Sequence, residues 1–72
     1  MELQEKLDLL EEIMDKDEGT LKLDAMLQDI EEWDSLSKLG LMAEVKRRMN
    51  CRLTTEEILE FKTVQDIIDY LQ

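Results

Sequence analysis

Seventy-two residues, with one cysteine and no histidine, set narrow limits on what this chain can be. So short a chain predicts a single domain, residues 1–72, near the lower limit for folding without a metal, and its one cysteine excludes an internal disulfide. A net charge of −10 argues against nucleic-acid binding, and no apolar stretch approaches the roughly 20 residues that cross a bilayer.

The charge is unevenly distributed along the chain. Residues 1–34 hold 13 acids and 3 bases, whereas residues 35–72 hold 6 of each, so all the net charge precedes Ser35. An acidic surface favours encounter with basic protein surfaces, although it also serves solubility alone. The chain starts without the basic and apolar segments of a signal peptide, so a cytoplasmic protein without membrane insertion is expected.

The first predicted element is an amphipathic helix from Glu2 to about Met14, ended by Gly19. Its apolar stripe comprises Leu3, Leu7, Leu10 and Met14, with Ile13 beside it. A long connection follows from about Lys16 to Asp34. Connections of this length are usually functional or disordered, and here the apolar content argues against disorder. The residues expected to pack beneath it are Leu21, Leu23, Met26, Leu27 and Ile30.

The second helix is predicted from about Ser35 to Met49, with Asp34 as N-cap and Asn50 as the stop. Its broad apolar face is expected to comprise Leu36, Leu39, Leu41, Met42, Ala43, Val45 and Met49.

Two short helices complete the predicted fold. Thr54 and Glu57 form a capping box that opens a short third helix with Ile58, Leu59 and Phe61. Thr63 caps a fourth helix, in which apolar residues recur at the spacing i, i+3, i+4, i+7: Val64, Ile67, Ile68 and Leu71. The pattern predicts an all-α domain with three longer helices, one short third helix and a long loop between helices 1 and 2.

Ser35 is the residue with the most informative position, because it is expected to be exposed at a helix start. A serine nucleophile needs a neighbouring base, and the chain has no histidine to supply one. Ser35 is therefore predicted to be a point of attachment and not a catalytic residue. The alternative is an ordinary surface serine in a first helical turn, where serine is common.

The tripeptide Asp34-Ser35-Leu36 resembles the phosphopantetheine attachment site of acyl carrier proteins. Residues 29–36 are similar to the loop that leads into this site in that family, residues 53–57 to the start of its third helix, and residues 63–71 to its last helix. The resemblance implies a four-helix bundle in which Ser35, flanked by Asp34 and Leu36, carries 4′-phosphopantetheine. A phosphopantetheinyl transferase would install the group from coenzyme A, and the protein would hold an acyl or aminoacyl group as a thioester. Leu36 is expected to point inward and anchor the first turn.

Three features depart from the family pattern. Glu32 stands where glycine often precedes the serine, and Thr54 where proline is frequent. Residues 35–50 carry four bases against Glu44 alone, whereas this helix is acidic in fatty-acid-synthesis carriers, and Gly40 replaces a side chain that often contacts partners. These departures favour a dedicated biosynthetic pathway. Acyl-loading and acyl-transferring enzymes with basic docking surfaces would then contact the acidic loop at Asp29, Glu31, Glu32 and Asp34.

The remaining candidates have competing interpretations. Trp33 is either a partner anchor or a cover for the loop's apolar residues, and Gly40 either leaves room beside the arm or lets two helices approach. The methionines are core filler or an adaptable acyl pocket, with Met42 the best candidate for both. Cys51 is interpreted as structural.

No catalytic or metal-binding residues are predicted. Residues 15–19 resemble a calcium loop only superficially, because the glycine and the bidentate acid are misplaced. A monomeric, non-enzymatic carrier is expected. The alternative from another class is a small acidic helical adaptor that binds a protein partner and has no prosthetic group.

Overall fold

The computed structural model describes residues 2–71, and within them the chain forms four α-helices. Their bounds are α1 Leu3–Met14, α2 Ser35–Met49, α3 Thr55–Glu60 and α4 Val64–Tyr70, with a 3₁₀ turn at Leu27–Asp29. The described residues contain no strand, only an isolated antiparallel bridge between Met26 and Thr63. The all-α prediction is confirmed, although α4 has 7 residues and is only one residue longer than α3.

Local capping interactions explain where α2, α3 and α4 begin and where α2 ends. Thr54 accepts a hydrogen bond from the Glu57 N–H, and the Glu57 carboxylate accepts one from the Thr54 N–H, as the predicted capping box requires. Thr63 and Asp66 repeat this arrangement at the start of α4. Asn50 ends α2 in the left-handed conformation, with φ 52°, and confirms the predicted stop.

Helix α1 ends at Met14, as predicted, but the residue that stops it is not the predicted one. Asp15 adopts the left-handed conformation, with φ 56°, and its N–H donates back to the Glu11 and Glu12 carbonyls. Aspartate tolerates this conformation better than most residues. The prediction that Gly19 ends the helix was therefore wrong, because the chain has already left the helical path four residues before it.

One apolar core joins all four helices. Its most deeply buried members come from three of them: Leu10, Leu41, Val45, Val64 and Ile67. Ile58 adds α3 to the same cluster. Leu3, at the N-terminal end of the predicted α1 stripe, stays half exposed. In the helices this burial follows the 3.6-residue period, and it fixes how each helix is rotated about its axis.

The connection between α1 and α2 is held at several points along its length. The Leu21 N–H donates a hydrogen bond to the carboxylate of Glu11 at 3.0 Å, and Glu11 is buried. This role was not predicted from the sequence, because an acidic residue in an amphipathic helix is expected to be exposed. Farther on, the Leu27 N–H donates to the Lys62 carbonyl at 2.9 Å, and the Val64 N–H donates to the Ala25 carbonyl at 3.1 Å. Hydrogen bonds to buried groups of this kind order a loop that would otherwise be mobile.

Most of the predicted apolar packing under this connection is confirmed. Leu21 and Leu27 are buried, Leu23 and Ile30 are half-buried against the core, and Met26 is exposed.

Gly40 lies where α2 packs against Ile13 of α1. A Cβ atom at this position would be 3.2 Å from Cγ2 of Ile13, which is tighter than ordinary van der Waals contact. The glycine thus lets the two helices approach, which is one of its two predicted roles.

Candidate functional site

Ser35 is the first residue of α2, and its side chain is exposed. Asp34 caps the helix, because its Oδ1 accepts a hydrogen bond from the Ser37 N–H at 2.9 Å. This bond, from a backbone donor at the positive end of the helix dipole, is the main reason that the pKa of Asp34 lies below its usual value of 3.8. The predicted N-cap is confirmed, and it holds Ser35 at the helix tip.

A second serine, Ser37, lies on the other side of the same turn. Ser37 is buried, and its hydroxyl donates a hydrogen bond to the carbonyl of Glu32. This contact ties the last residues of the loop to the helix. This role could not be predicted from the sequence, because a serine two residues into a helix is commonly exposed.

Leu36 does not point inward, so the prediction that it anchors the first turn was wrong. Its side chain is 78 % exposed, and Leu39 is 61 % exposed. The reason is geometric: the buried stripe of α2 is formed by residues at i, i+4 and i+8, namely Ser37, Leu41 and Val45. At about 100° per residue, Leu36 and Leu39 lie well away from that stripe.

The structure thus places the three predicted site residues together at the surface, on the N-terminal turn of α2. Within residues 2–71, no side-chain hydrogen bond engages the Ser35 hydroxyl, and the chain has no histidine to act as its base. The hydroxyl is therefore accessible but not activated. No imidazole of this chain can act as a base for this oxygen.

An open groove begins at Ser35 and runs between α2, α3 and the loop. Its first cavity has a volume of about 330 Å³ and is lined by Ser35, Lys38, Leu39, Met42, Thr55, Ile58 and Leu59. A second cavity of about 200 Å³ shares Lys38, Ile58 and Leu59 and adds Met26, Leu27, Gln28, Trp33, Phe61 and Lys62. We call the two cavities together the Ser35 groove.

The structure distinguishes between the alternative roles predicted for the methionines, Trp33 and Cys51. Met42 lines the groove and also packs half-buried against the core, so its position fits both of its predicted roles; Met14 is a core residue, and Met49 packs half-buried against the core. Trp33 is half-buried against the core and lines the second cavity, so it covers the loop's apolar residues as one of its two predicted roles requires. Cys51 is exposed and is not part of the core cluster, so its interpretation as a structural residue was wrong.

Charged residues on the surface separate into an acidic loop and a basic helix end. The four acids predicted to guide partners are all exposed, and only one of them forms an ion pair: Glu32 Oε1 lies 3.4 Å from Lys16 Nζ. At the other end of α2, Arg47 and Arg48 both pair with Glu44, at 2.7 and 2.9 Å.

The residues around Ser35 fit a phosphopantetheine group. The Ser35 hydroxyl is free to form a phosphodiester, and the positive end of the α2 dipole favours an anion at this position. An apolar groove starts beside the hydroxyl. Among residues 2–71 no cluster of three or more metal-ligating side chains is found. In the same range, none of the helices combines the length and the apolar character that a membrane span requires.

Comparisons with known proteins give matches that include Ser35 and the helices around it. A family profile described as "Phosphopantetheine attachment site" matches residues 7–71. The comparison with curated proteins found no match. Among solved structures, the chain is similar to the solution NMR structure of a holo acyl carrier protein from Geobacter metallireducens. The two share a TM-score of 0.70 and 25% sequence identity, over 93% of this chain and 77% of that one.

Proposed function

The chain belongs to the phosphopantetheine attachment-site family, as an acyl carrier protein, and we propose that Ser35 carries its 4′-phosphopantetheine arm. The observation that carries this assignment is an exposed, unengaged hydroxyl at the capped tip of α2. Ser37, the only other serine in the chain, is buried and bonded to the Glu32 carbonyl.

Each neighbour of Ser35 has a distinct part in this proposal. Asp34 keeps the first helical turn formed, so that the Ser35 oxygen stays at the surface. Leu36 and Leu39 present exposed apolar surface beside it, of the kind that marks contacts with other proteins. When bound, the arm supplies a thiol that holds the cargo as a thioester. The protein itself contributes position and partner recognition, in keeping with a carrier that is not a catalyst.

Intact mass measurement tests the assignment directly. The protein is incubated with coenzyme A and a broad-specificity phosphopantetheinyl transferase, and a mass gain of one phosphopantetheine is expected. Ser35→Ala should abolish the gain, whereas the matched control Ser37→Ala should retain it, because Ser37 is not accessible. A gain that survives Ser35→Ala would contradict the proposal.

We further propose that partner enzymes approach the acidic loop and that the carrier serves a dedicated pathway, in place of bulk fatty acid synthesis. Two observations support this. The loop acids before Ser35 are exposed, whereas α2 ends in Lys46, Arg47 and Arg48, a basic surface that would repel the basic docking patch of a fatty-acid-synthesis enzyme.

A loading assay tests this proposal with a malonyl transferase of fatty acid synthesis as the probe. The malonyl transferase should load the holo protein slowly, and the double variant Lys46→Glu, Arg47→Glu should be loaded faster at low salt. The double reversal Glu31→Lys with Asp29→Lys should lower it further. Fast loading of the unaltered protein, insensitive to either pair of changes, would count against both the pathway and the docking surface.

The alternative of an acidic adaptor without a prosthetic group does not account for the family match over residues 7–71. An adaptor would also have no need of a free hydroxyl at a helix tip beside an open groove.

A further inference from the structure

The Ser35 groove differs in charge from the rest of the protein. The chain carries 19 acidic residues and 9 basic ones, yet none of the residues that line the two cavities is acidic, and two of them are lysines. The groove is thus a cationic, otherwise largely apolar strip on an acidic molecule. Low-dielectric walls that carry one sign of charge strengthen the attraction of the opposite sign.

Both lysines are free to pair with a bound group. Lys38 is the half-buried one, on the wall that the two cavities share, whereas Lys62 is exposed and lies at the second cavity. Within residues 2–71 neither ammonium has a carboxylate at ion-pair distance. The carboxylate of Asp66, four residues after Lys62, accepts hydrogen bonds from the backbone N–H groups of Lys62 and Thr63. A half-buried cation without a partner is costly unless something else pairs with it.

The apolar walls determine what kind of molecule fits between these cations. Leu39, Met42 and Ile58 line the first cavity, while Trp33 and Phe61 line the second. The first cavity, at about 330 Å³, lies at the lower end of the roughly 300–1,000 Å³ range of ligand pockets, and the second, at about 200 Å³, is smaller than that range. A short acyl chain has the right size and polarity for such cavities, and Lys38 and Lys62 are the charged side chains that line them.

We propose that the groove receives the cargo and that Lys38 and Lys62 select a short acyl chain whose far end is a carboxylate. Chains that end in a methyl group would bind less well, and chains that end in an ammonium group least well. This inference rests on the proposed function, because it places the arm at Ser35, at the mouth of the groove. It also favours an acyl over an aminoacyl cargo, because an aminoacyl cargo carries a positive charge that the two lysines would repel.

Three cargoes of equal length test the selection. The transferase loads Ser35 from coenzyme A thioesters of adipic, hexanoic and 6-aminohexanoic acid, and intact mass confirms each product. Protection of each thioester is then measured as its rate of cleavage by hydroxylamine. We expect the adipoyl form to be cleaved most slowly and the 6-aminohexanoyl form fastest. Amide NMR shifts at Ile58, Leu59 and Phe61, relative to the unloaded holo protein, should follow the same order.

Substitution of the lysines separates charge from packing. Lys38→Met and Lys62→Met keep apolar bulk, and each should reduce the protection of the adipoyl thioester roughly two- to fivefold, the size that a partly exposed ion pair gives. The hexanoyl thioester should be unaffected by either change. The matched control Lys46→Met, exposed on the same helix but outside the groove, should change neither.

Distinct outcomes would overturn the inference. Equal protection of adipoyl and hexanoyl cargo, or equal effects of Lys38→Met on both, would show that charge does not select. Best protection of the 6-aminohexanoyl form would reverse the proposed preference. If the amide NMR shifts of the groove residues are already fully changed in the unloaded holo protein, the arm and not the cargo occupies the groove. Failure of loading at Ser35, seen by mass, would instead refute the proposed function.

Discussion

The two faces of the first half of α2 differ in a way that residue type alone does not explain. One face exposes two leucines, Leu36 and Leu39, beside Ser35, whereas the opposite face buries a serine, Ser37, beside Leu41. The buried serine loses little because its hydroxyl has a partner, the Glu32 carbonyl. The exposed leucines forgo the stabilisation of about 1.5–3 kcal/mol that burying each side chain would bring. The buried face serves folding, and under the proposed function the exposed face is the one that contacts other molecules.

The largest effect should come from truncating the buried face. Leu41→Ala removes a side chain with no exposed surface, and it should lower the free energy of unfolding by about 2–5 kcal/mol. The matched control Leu39→Ala, two residues away and exposed, should change it by less than about 0.5 kcal/mol. Urea denaturation followed by circular dichroism measures both. Equal losses would show that the two faces do not differ as described.

The two serines give a second contrast of intermediate size. Ser37→Ala removes the hydrogen bond to the Glu32 carbonyl, and it should destabilise the fold by about 1 kcal/mol. Ser35→Ala should leave stability within about 0.5 kcal/mol, because the exposed hydroxyl forms no such bond. Thermal denaturation of the unmodified proteins distinguishes the two. A greater loss from Ser35→Ala would mean that this hydroxyl has a structural role and would weaken its assignment as the attachment point.

The Asp34 cap should give a smaller effect that depends on pH. Its pKa is lower in the folded protein than its usual value of 3.8, chiefly because the Ser37 N–H donates to the charged form. The charge therefore adds stability that is fully present above that value and is lost as the pH falls through the folded-state pKa. Asp34→Asn keeps a capping oxygen but not the charge.

We expect the native protein to be more stable than Asp34→Asn at neutral pH, and the difference in melting temperature to narrow once the pH falls below 3.8. Asp34→Ala, which removes the cap itself, should remain less stable than Asp34→Asn throughout. A difference between native protein and Asp34→Asn that widens in acid would contradict this account.

The smallest change in stability should accompany Leu36→Ala, because its side chain is 78 % exposed. Unfolding free energy should shift by less than about 0.5 kcal/mol, while the rate of phosphopantetheine transfer at low carrier concentration should fall measurably. The control is Leu3→Ala, another exposed leucine but far along the chain from Ser35, which should leave the transfer rate unchanged. Unaltered transfer to Leu36→Ala would show that this leucine does not contact the transferase.

Much of the fold could be predicted because it depends on local chemistry. The caps at Asp34, Thr54 and Thr63 need only a side-chain oxygen within three residues of a helix start. The apolar spacing of α4 likewise gave its buried residues directly. The end of α1 near Met14 was predicted correctly, but the residue that stops it was not, because Asp15 took a left-handed conformation that glycine usually takes.

The candidate site was predictable in part. The position of Ser35 at an exposed helix start followed from the cap and from the polar residues before it. The orientation of Leu36 did not follow, because α2 has more apolar residues than one buried stripe can hold. The burial of the Glu11 carboxylate could not be predicted, because its partner, the Leu21 N–H, lies ten residues away in an irregular loop.

The sequence by itself determined the helices, their caps and the accessible serine, because these depend on interactions within a few residues. Only the tertiary structure decided which side of α2 faces the core, and that Lys38 and Lys62 line a groove without acids. Rotation of a helix about its axis depends on how well its side chains pack against α1, α3 and α4 together. A groove likewise exists only where separate elements leave space between them.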